Sequence, residues 1–283
     1  MNAETRRCVG YGLVLIVCLL FWLHELFPAG SIRTLLENRL SDPTFGRHVA
    51  IGRLETRFPF ALILEPIDIQ LQGKPLLRFD TLTVRLSGIR WNGIRAAVSA
   101  KTADGRITGE IGYPVVRDGR WNLHLQFSGI HIDRISDIQQ TVGRSMAGEI
   151  SGNLQPQDRG LVLTLLVKNL KIGLVDPSLG PAQVAFASGE ARIEYGADEL
   201  RLTSAAFQGT QVSGTATGVL QLSETWMDSP IRMEATVRIH PGLLGELHHP
   251  GLRALITSRL DREMTVRISG TILQPKWEMN ERQ

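Results

Sequence analysis

The chain has 283 residues, of which 43% are hydrophobic and 21% charged, a balance that suits a folded protein and excludes wholesale disorder. Its formal net charge of +3 is too small for the basic surface of a nucleic-acid-binding protein. The two cysteines, Cys8 and Cys18, both fall in one apolar run near the N-terminus, so disulfide frameworks, thiolate metal sites and cysteine nucleophiles are excluded from residue 19 onwards.

That run is the first element. Residues 8–23 (CVGYGLVLIVCLLFWL) carry no charge, and extension to Phe27 adds only His24 and Glu25 as strongly polar members. Twenty residues rising about 1.5 Å each cover roughly 30 Å, enough to cross the hydrocarbon core. A transmembrane anchor over residues 8–27 is expected, with Val9, Leu13, Leu15, Ile16, Leu19, Leu20, Phe21, Trp22 and Phe27 in the apolar layer. Glu25 then falls at the far interface, where its charge reaches water. Arg6 and Arg7 precede the run, so the positive-inside rule keeps residues 1–7 in the cytoplasm and exports residues 28–283. A cleavable signal peptide fits less well, because Leu26-Phe27-Pro28-Ala29-Gly30 does not supply small residues at both positions of a cleavage site. The exported part has no cysteine and no N-x-[ST] sequon, which points to a bacterial envelope.

Beyond the anchor, Ser31 is placed to cap a short helix through about Leu40, with Ile32, Leu35, Leu36 and Leu40 on one face and Asp42-Pro43 ending it. Period-two alternation then dominates. Ile67, Ile69 and Leu71 alternate with Asp68, Gln70 and Gln72, and Leu82, Val84 and Leu86 alternate with Thr83, Arg85 and Ser87. The same pattern recurs at residues 121–127, 161–167, 170–174, 191–195 and 231–239, with Asp104-Gly105 and Asp118-Gly119 as turn signals between runs. Helical spacing interrupts it at residues 134–143 and 242–260, the second broken by Pro250. The fold class is therefore mainly β: an elongated, curved antiparallel sheet with a few short helices, preceded by one transmembrane helix. Closure into a barrel is not demanded.

A short pattern recurs within the strands. An apolar residue, Ser or Thr, Gly, any residue and an apolar or small residue occur in order around Gly109, Gly152, Gly214 and Gly270. Each glycine shares a strand face with apolar neighbours and leaves a notch. Such notches let a sheet curl, or they line a groove for a lipid or peptide.

Catalytic patterns are poor. There is no G-x-S-x-G, H-E-x-x-H or P-loop. The pair His248-His249 has no acidic or histidine partner at i+4 and reads as a solvated helix end. His131 and Asp133 would share the wet face of a strand and read as a surface pair. Trp91, Trp121, Trp226 and Trp277 are dispersed and read as sheet anchors. No cofactor, metal or nucleic acid is implied.

The order of segments resembles type II secretion system protein N of Gram-negative bacteria. The resemblance rests on one N-terminal span, Phe27-Pro28 and a short helix, Val49-Ala50-Ile51-Gly52-Arg53-Leu54, Pro59-Phe60-Ala61-Leu62, and the strand Ile67-Asp68-Ile69-Gln70-Leu71. It continues at Ser128–Ile135 and Gly148–Leu154. The end, Val266–Trp277, is similar to the closing strands of the wider AsmA-like group. The resemblance implies a non-enzymatic inner-membrane protein with its bulk in the periplasm. It would work with other secretion-system proteins that export folded proteins across the outer membrane. The AsmA-like similarity implies an alternative, a module that binds or transfers lipid.

Overall fold

The computed structural model describes residues 28–41, 46–57, 61–71, 73–91, 93–115, 122–135, 145–157, 160–173, 183–196, 198–223, 228–247, 250–258, 260 and 262–281. The expected anchor at 8–27, with Arg6 and Arg7, lies outside them, as do Trp121, Trp226, His248 and His249. No described helix is long and apolar enough to cross a membrane.

Fifteen strands among the described residues build one antiparallel sheet. They are β1 (Arg47–Arg57), β2 (Ala61–Leu71), β3 (Lys74–Phe79), β4 (Thr81–Arg90), β5 (Gly93–Thr102), β6 (Gly105–Pro114), β7 (Asn122–His131) and β8 (Met146–Gln157). Then come β9 (Gly160–Gly173), β10 (Gln183–Tyr195), β11 (Glu199–Gln208), β12 (Val212–Gln221), β13 (Ile231–Ile239), β14 (Glu263–Gly270) and β15 (Pro275–Glu281). Apart from β3 and β4, each strand pairs with its neighbours in sequence, the topology expected of alternating segments joined by tight turns. β3 and β4 both lie along β2, with Ile67 opposite Phe79 and Ala61 opposite Arg85, so they act as one long strand broken near Asp80. At about 4.8 Å per strand the path from β1 to β15 runs some 60 Å. Among the described residues β1 and β15 do not pair with each other, so the sheet is open.

The turn after β5 shows how local chemistry sets this path. Ala103 and Asp104 have φ of 48° and 62°, the left-handed pair that a two-residue hairpin with native twist requires. Gly105 follows because a Cβ there would stand 2.6 Å from Ile130 Cγ1.

Helix α1 (Ala29–Leu40) closes the first edge of the sheet. Ile51 N donates to Glu37 Oε1 at 2.8 Å, Val49 N donates to Ser41 Oγ at 2.9 Å, and Arg33 Nη1 donates to the Gly52 carbonyl at 2.7 Å. The Val49 and Ile51 N–H groups are ones that an edge strand otherwise leaves open to another chain. The Gly52 carbonyl needs such a donor because the residue opposite it is Pro66, which has no N–H. The order of contacts also makes α1 antiparallel to β1, with Ala29 towards the Arg57 end. The helix ends at Leu40 as expected but differs at its start and in the face it packs. It begins at Ala29 without a side-chain cap from Ser31, and Leu35 and Leu40 stay exposed while Ile32 and Leu36 pack on the sheet.

The compact core sits under this helix. Of fourteen buried apolar side chains among the described residues, seven belong to β1 and β2, so burial is concentrated at one end of the molecule. β2 is apolar on both faces, which the alternation alone does not reveal. Leu62 and Leu64 share the face of Val84 and Leu82, whereas Ile67 and Ile69 face the other way, opposite Ile51 and Val49.

Short helices cap the opposite end of the strands. Ile132–Arg134 form one 3₁₀ turn and Pro241–Glu246 another, burying Ile132, Leu243 and Leu247, and α2 (Pro250–Thr257) begins at the proline expected to break the helical pattern. Residues 132–133 are thus helical, and His131 and Asp133 do not share a strand face as the alternation suggests. Ile132 turns inward and leaves its two neighbours exposed.

Two outcomes follow. The Ile51 hydrogen bond, then the Arg33 guanidinium, hold the Glu37 carboxyl below the ordinary glutamate range against the opposing effect of burial. A lowered carboxylate stabilises the fold above about pH 4.3 and loses that contribution as pH falls through its folded-state value. Glu37→Ala is expected to cost about 1–2 kcal/mol at pH 7 in urea unfolding, with the gap to the parent protein narrowing as pH falls towards 3. Gly52→Ala is expected to destabilise by about 1–3 kcal/mol, because its Cβ would meet Pro66 Cδ at 2.6 Å and the Glu65 carbonyl at 2.9 Å. Gly88→Ala, with nothing within 4 Å, should stay within about 0.5 kcal/mol of the parent in the same titration.

Candidate functional site

Directly opposed residues in an antiparallel ladder lie on the same face, so the register traces each face across the sheet. One row runs Val84, Val98, Gly109, Leu125, Leu154 and Leu163 from β4 to β9. It continues through Ile193, Leu202, Gly218, Met233, Ile268 and Trp277 to β15. A second row beside it passes from Leu82 and Ala100 through Phe127, Leu165 and Ala205 to Val266 and Met279. Neither row contains a polar side chain across twelve strands, a distance of about 50 Å.

The row between them belongs to the opposite face and is polar. Thr83, Ser99, Thr108, Gln126, Asn153 and Thr164 follow one another from β4 to β9. Further on, Arg267 Nε meets Glu234 Oε2 at 3.3 Å and Arg238 Nη2 meets Glu263 Oε1 at 2.7 Å. Both pairs are about half exposed, so each adds little to stability and serves to keep this face wet.

Among the described residues no second layer covers the apolar face. Leu123, Leu125, Leu154, Leu163 and Leu165 are only half-buried. The chain exposes 19051 Å² at 31.3 kDa, where a compact monomer of that mass exposes about 12,000 Å².

The recurring glycines take up defined places on this surface. Gly109, Gly152 and Gly214 all lie on the apolar face, and the space where their side chains would stand is taken. Leu125 Cδ2 lies 2.8 Å from the Cβ position of Gly109, Phe127 Cζ lies 2.7 Å from that of Gly152, and the Thr236 carbonyl lies 2.6 Å from that of Gly214. Gly189 and Gly218 do the same for Phe207 and Met233. Glycine therefore lets a large neighbour lie across it. Gly270 ends β14 with φ of 98°, a backbone that favours glycine.

Groups able to do chemistry are dispersed. Among the described residues no cluster of three His, Cys, Asp or Glu side chains could hold a metal ion. The buried Thr102 hydroxyl donates to the Arg78 carbonyl, and the buried Ser229 hydroxyl accepts from Ser223 N, so both serve backbone. A cavity of about 210 Å³ lies among Leu77, Arg78, Asp80, Thr102, Asp104 and Arg134, with Arg134 Nε 3.4 Å from Asp104 Oδ2. Both members of that pair are largely solvated.

One contact escapes any reading of the sequence. Ser213 Oγ lies 2.8 Å from His240 Nε2, joining the start of β12 to the residue after β13. Only the ladder register brings these residues together, and the motif search carries no signal for them. The tryptophans also differ from expectation. Trp91 is 88% exposed in the β4–β5 turn and Trp277 is 61% exposed on β15, so neither anchors the sheet.

An uncovered apolar face should take up a fluorescent anilinonaphthalene sulfonate dye in the native state, without denaturant. Leu163→Asp with Leu165→Asp is expected to cut that emission by more than half, whereas His124→Asp on the polar face should leave it unchanged. No family model, curated protein or solved structure matches this chain.

Proposed function

We propose that this chain is a non-enzymatic component of a type II protein secretion system, held at the inner membrane by residues 8–27 with residues 28–283 in the periplasm. The observation that carries the reading is the uncovered apolar face, about 50 Å long, on a sheet whose polar groups are spent on structure. A surface of that extent calls for a partner, and other secretion-system proteins are the partners that the resemblance implies. The far edge, β15, adds a second means of docking, since its outer backbone groups can extend the ladder to another chain. The apolar run at 8–27, preceded by Arg6 and Arg7, supports the single-pass anchor and its orientation. Deleting the gene is expected to leave secreted enzymes in the periplasm while export across the inner membrane proceeds normally. Unchanged secretion in that strain would overturn the reading.

A second reading draws on the unbroken aliphatic character of the two rows. Acyl chains need a continuous apolar path without polar interruptions, and the rows from β4 to β15 offer one if the elongated sheet curves with this face inside. The chain would then bind or transfer lipid in the cell envelope, as the AsmA-like resemblance implies. Residues 28–283 purified without detergent should carry lipid visible by mass spectrometry, and a lipid-free spectrum would remove this alternative.

A further inference from the structure

Exposed apolar side chains are not scattered evenly over this sheet. Five of them, Ile89 (71% exposed), Trp91 (88%), Ile94 (39%), Tyr113 (53%) and Val115 (61%), gather where β4, β5 and β6 end. The register places Ile89 opposite Ile94 and Ile94 opposite Tyr113, so three of them form one cross-strand row, with Trp91 at the adjoining turn. This is the end of the sheet towards which the N-terminus of α1 points, as the contacts of Arg33, Glu37 and Ser41 with β1 establish. The charged residues between Thr81 and Ala103 are Arg85, Arg90, Arg95 and Lys101, all basic.

We propose that this rim, Ile89, Trp91, Ile94, Tyr113 and Val115 with Arg90 and Arg95, is seated in the headgroup layer of the membrane that holds the anchor. The inference rests on the anchored reading given above and adds a second point of attachment. An aromatic rim flanked by arginine fits a lipid interface: the rings take the boundary layer and the guanidinium groups take lipid phosphates. A soluble partner needs no such placement beside the point where the chain enters.

The reach is sufficient. The β4–β5 turn stands about 25 Å beyond Ala29 along the strand direction, at roughly 3.3 Å per strand residue and 1.5 Å per helix residue. The rim requires the uncharged residues 8–23 to cross the hydrocarbon layer by themselves, about 24 Å at 1.5 Å per residue, which leaves His24 to Pro28 to span at most about 17 Å, with interfacial side chains entering the headgroup boundary by another 5–10 Å. The two together bring rim and anchor to one bilayer surface.

The test uses the full chain with Cys8→Ser and Cys18→Ser, carrying one new cysteine at Trp91→Cys or, as a ruler on the same hairpin, Lys101→Cys. Each is labelled with an environment-sensitive nitrobenzoxadiazole dye and reconstituted in vesicles of three parts phosphatidylcholine to one part phosphatidylglycerol. Quenching by lipids with a nitroxide near the headgroup should be at least threefold stronger at position 91 than at 101, with blue-shifted emission at 91 alone. Equal quenching at the two positions in protein that floats with the vesicles would overturn the rim while leaving the anchor intact. Protein that does not float would overturn the anchored reading, and the rim with it.

Discussion

Hydrogen bonding between consecutive strands is the interaction on which the rest of this molecule depends. A domain of two packed layers shares its stability between the ladder and a core, but here only fourteen described apolar side chains are buried, and half of them lie in β1 and β2. From β4 onwards the sheet holds itself together within one layer. Each strand is fixed by backbone pairing to two neighbours and by cross-strand side-chain contacts, worth roughly 0.2–1 kcal/mol a pair. Such a structure has no weak link in its middle, only at its edges. The first edge is met by α1, whose Arg33, Glu37 and Ser41 side chains satisfy backbone groups of β1. The last edge, β15, has no corresponding helix among the described residues.

The same constraint leaves the apolar face open among the described residues. A strand in a single-layer sheet must still alternate, because alternation is what pins its register. The apolar half of the alternation then has no second layer to pack against among the described residues. Two rows about 50 Å long and each a few ångströms wide are comparable with the largest contiguous apolar patches of soluble monomers, roughly 300–600 Å². The polar face, by contrast, pairs some of its charges, as in Arg238 with Glu263. The molecule therefore presents an apolar side and two ends, and the ends differ: aromatic and aliphatic at β4–β6, helical and capped at the other.

Much of this was legible in the sequence, because period two is the direct image of a half-wet sheet. The alternation at 82–86, 161–167 and 231–239 appears in the structure as strands with the expected faces, and Pro250 breaks its helix as its ring requires. What escaped was set by tertiary context. The alternation at Ile67 and Ile69 was visible, but not that Leu62 and Leu64 turn the other way on the same strand, which depends on α1 covering β1. Ile132 leaves the strand pattern because it has a buried place under the sheet, and that carries His131 and Asp133 with it. Tryptophan is read as an anchor because burial is its usual fate, and Trp91 is the exception whose position in a two-residue turn no periodicity contains.

The glycines connect these strands of argument. A notch in a strand lets the sheet curl or opens a groove, and here the chain itself lies across such notches, Phe127 over Gly152, Phe207 over Gly189 and Met233 over Gly218. Filling the notches levels the face. Where large residues follow one another, in Leu125, Leu154 and Leu163, the surface stands high. Where the second row passes through Ala191, Ala205, Ala216 and Ala235, from β10 to β13, it stands at the height of a single methyl. The face is therefore a graded surface, and whatever covers it approaches the backbone most closely over β10 to β13, about 35 Å along the sheet from the rim at β4 to β6. That separation puts the aromatic rim and the low-lying methyl stretch on different parts of one sheet.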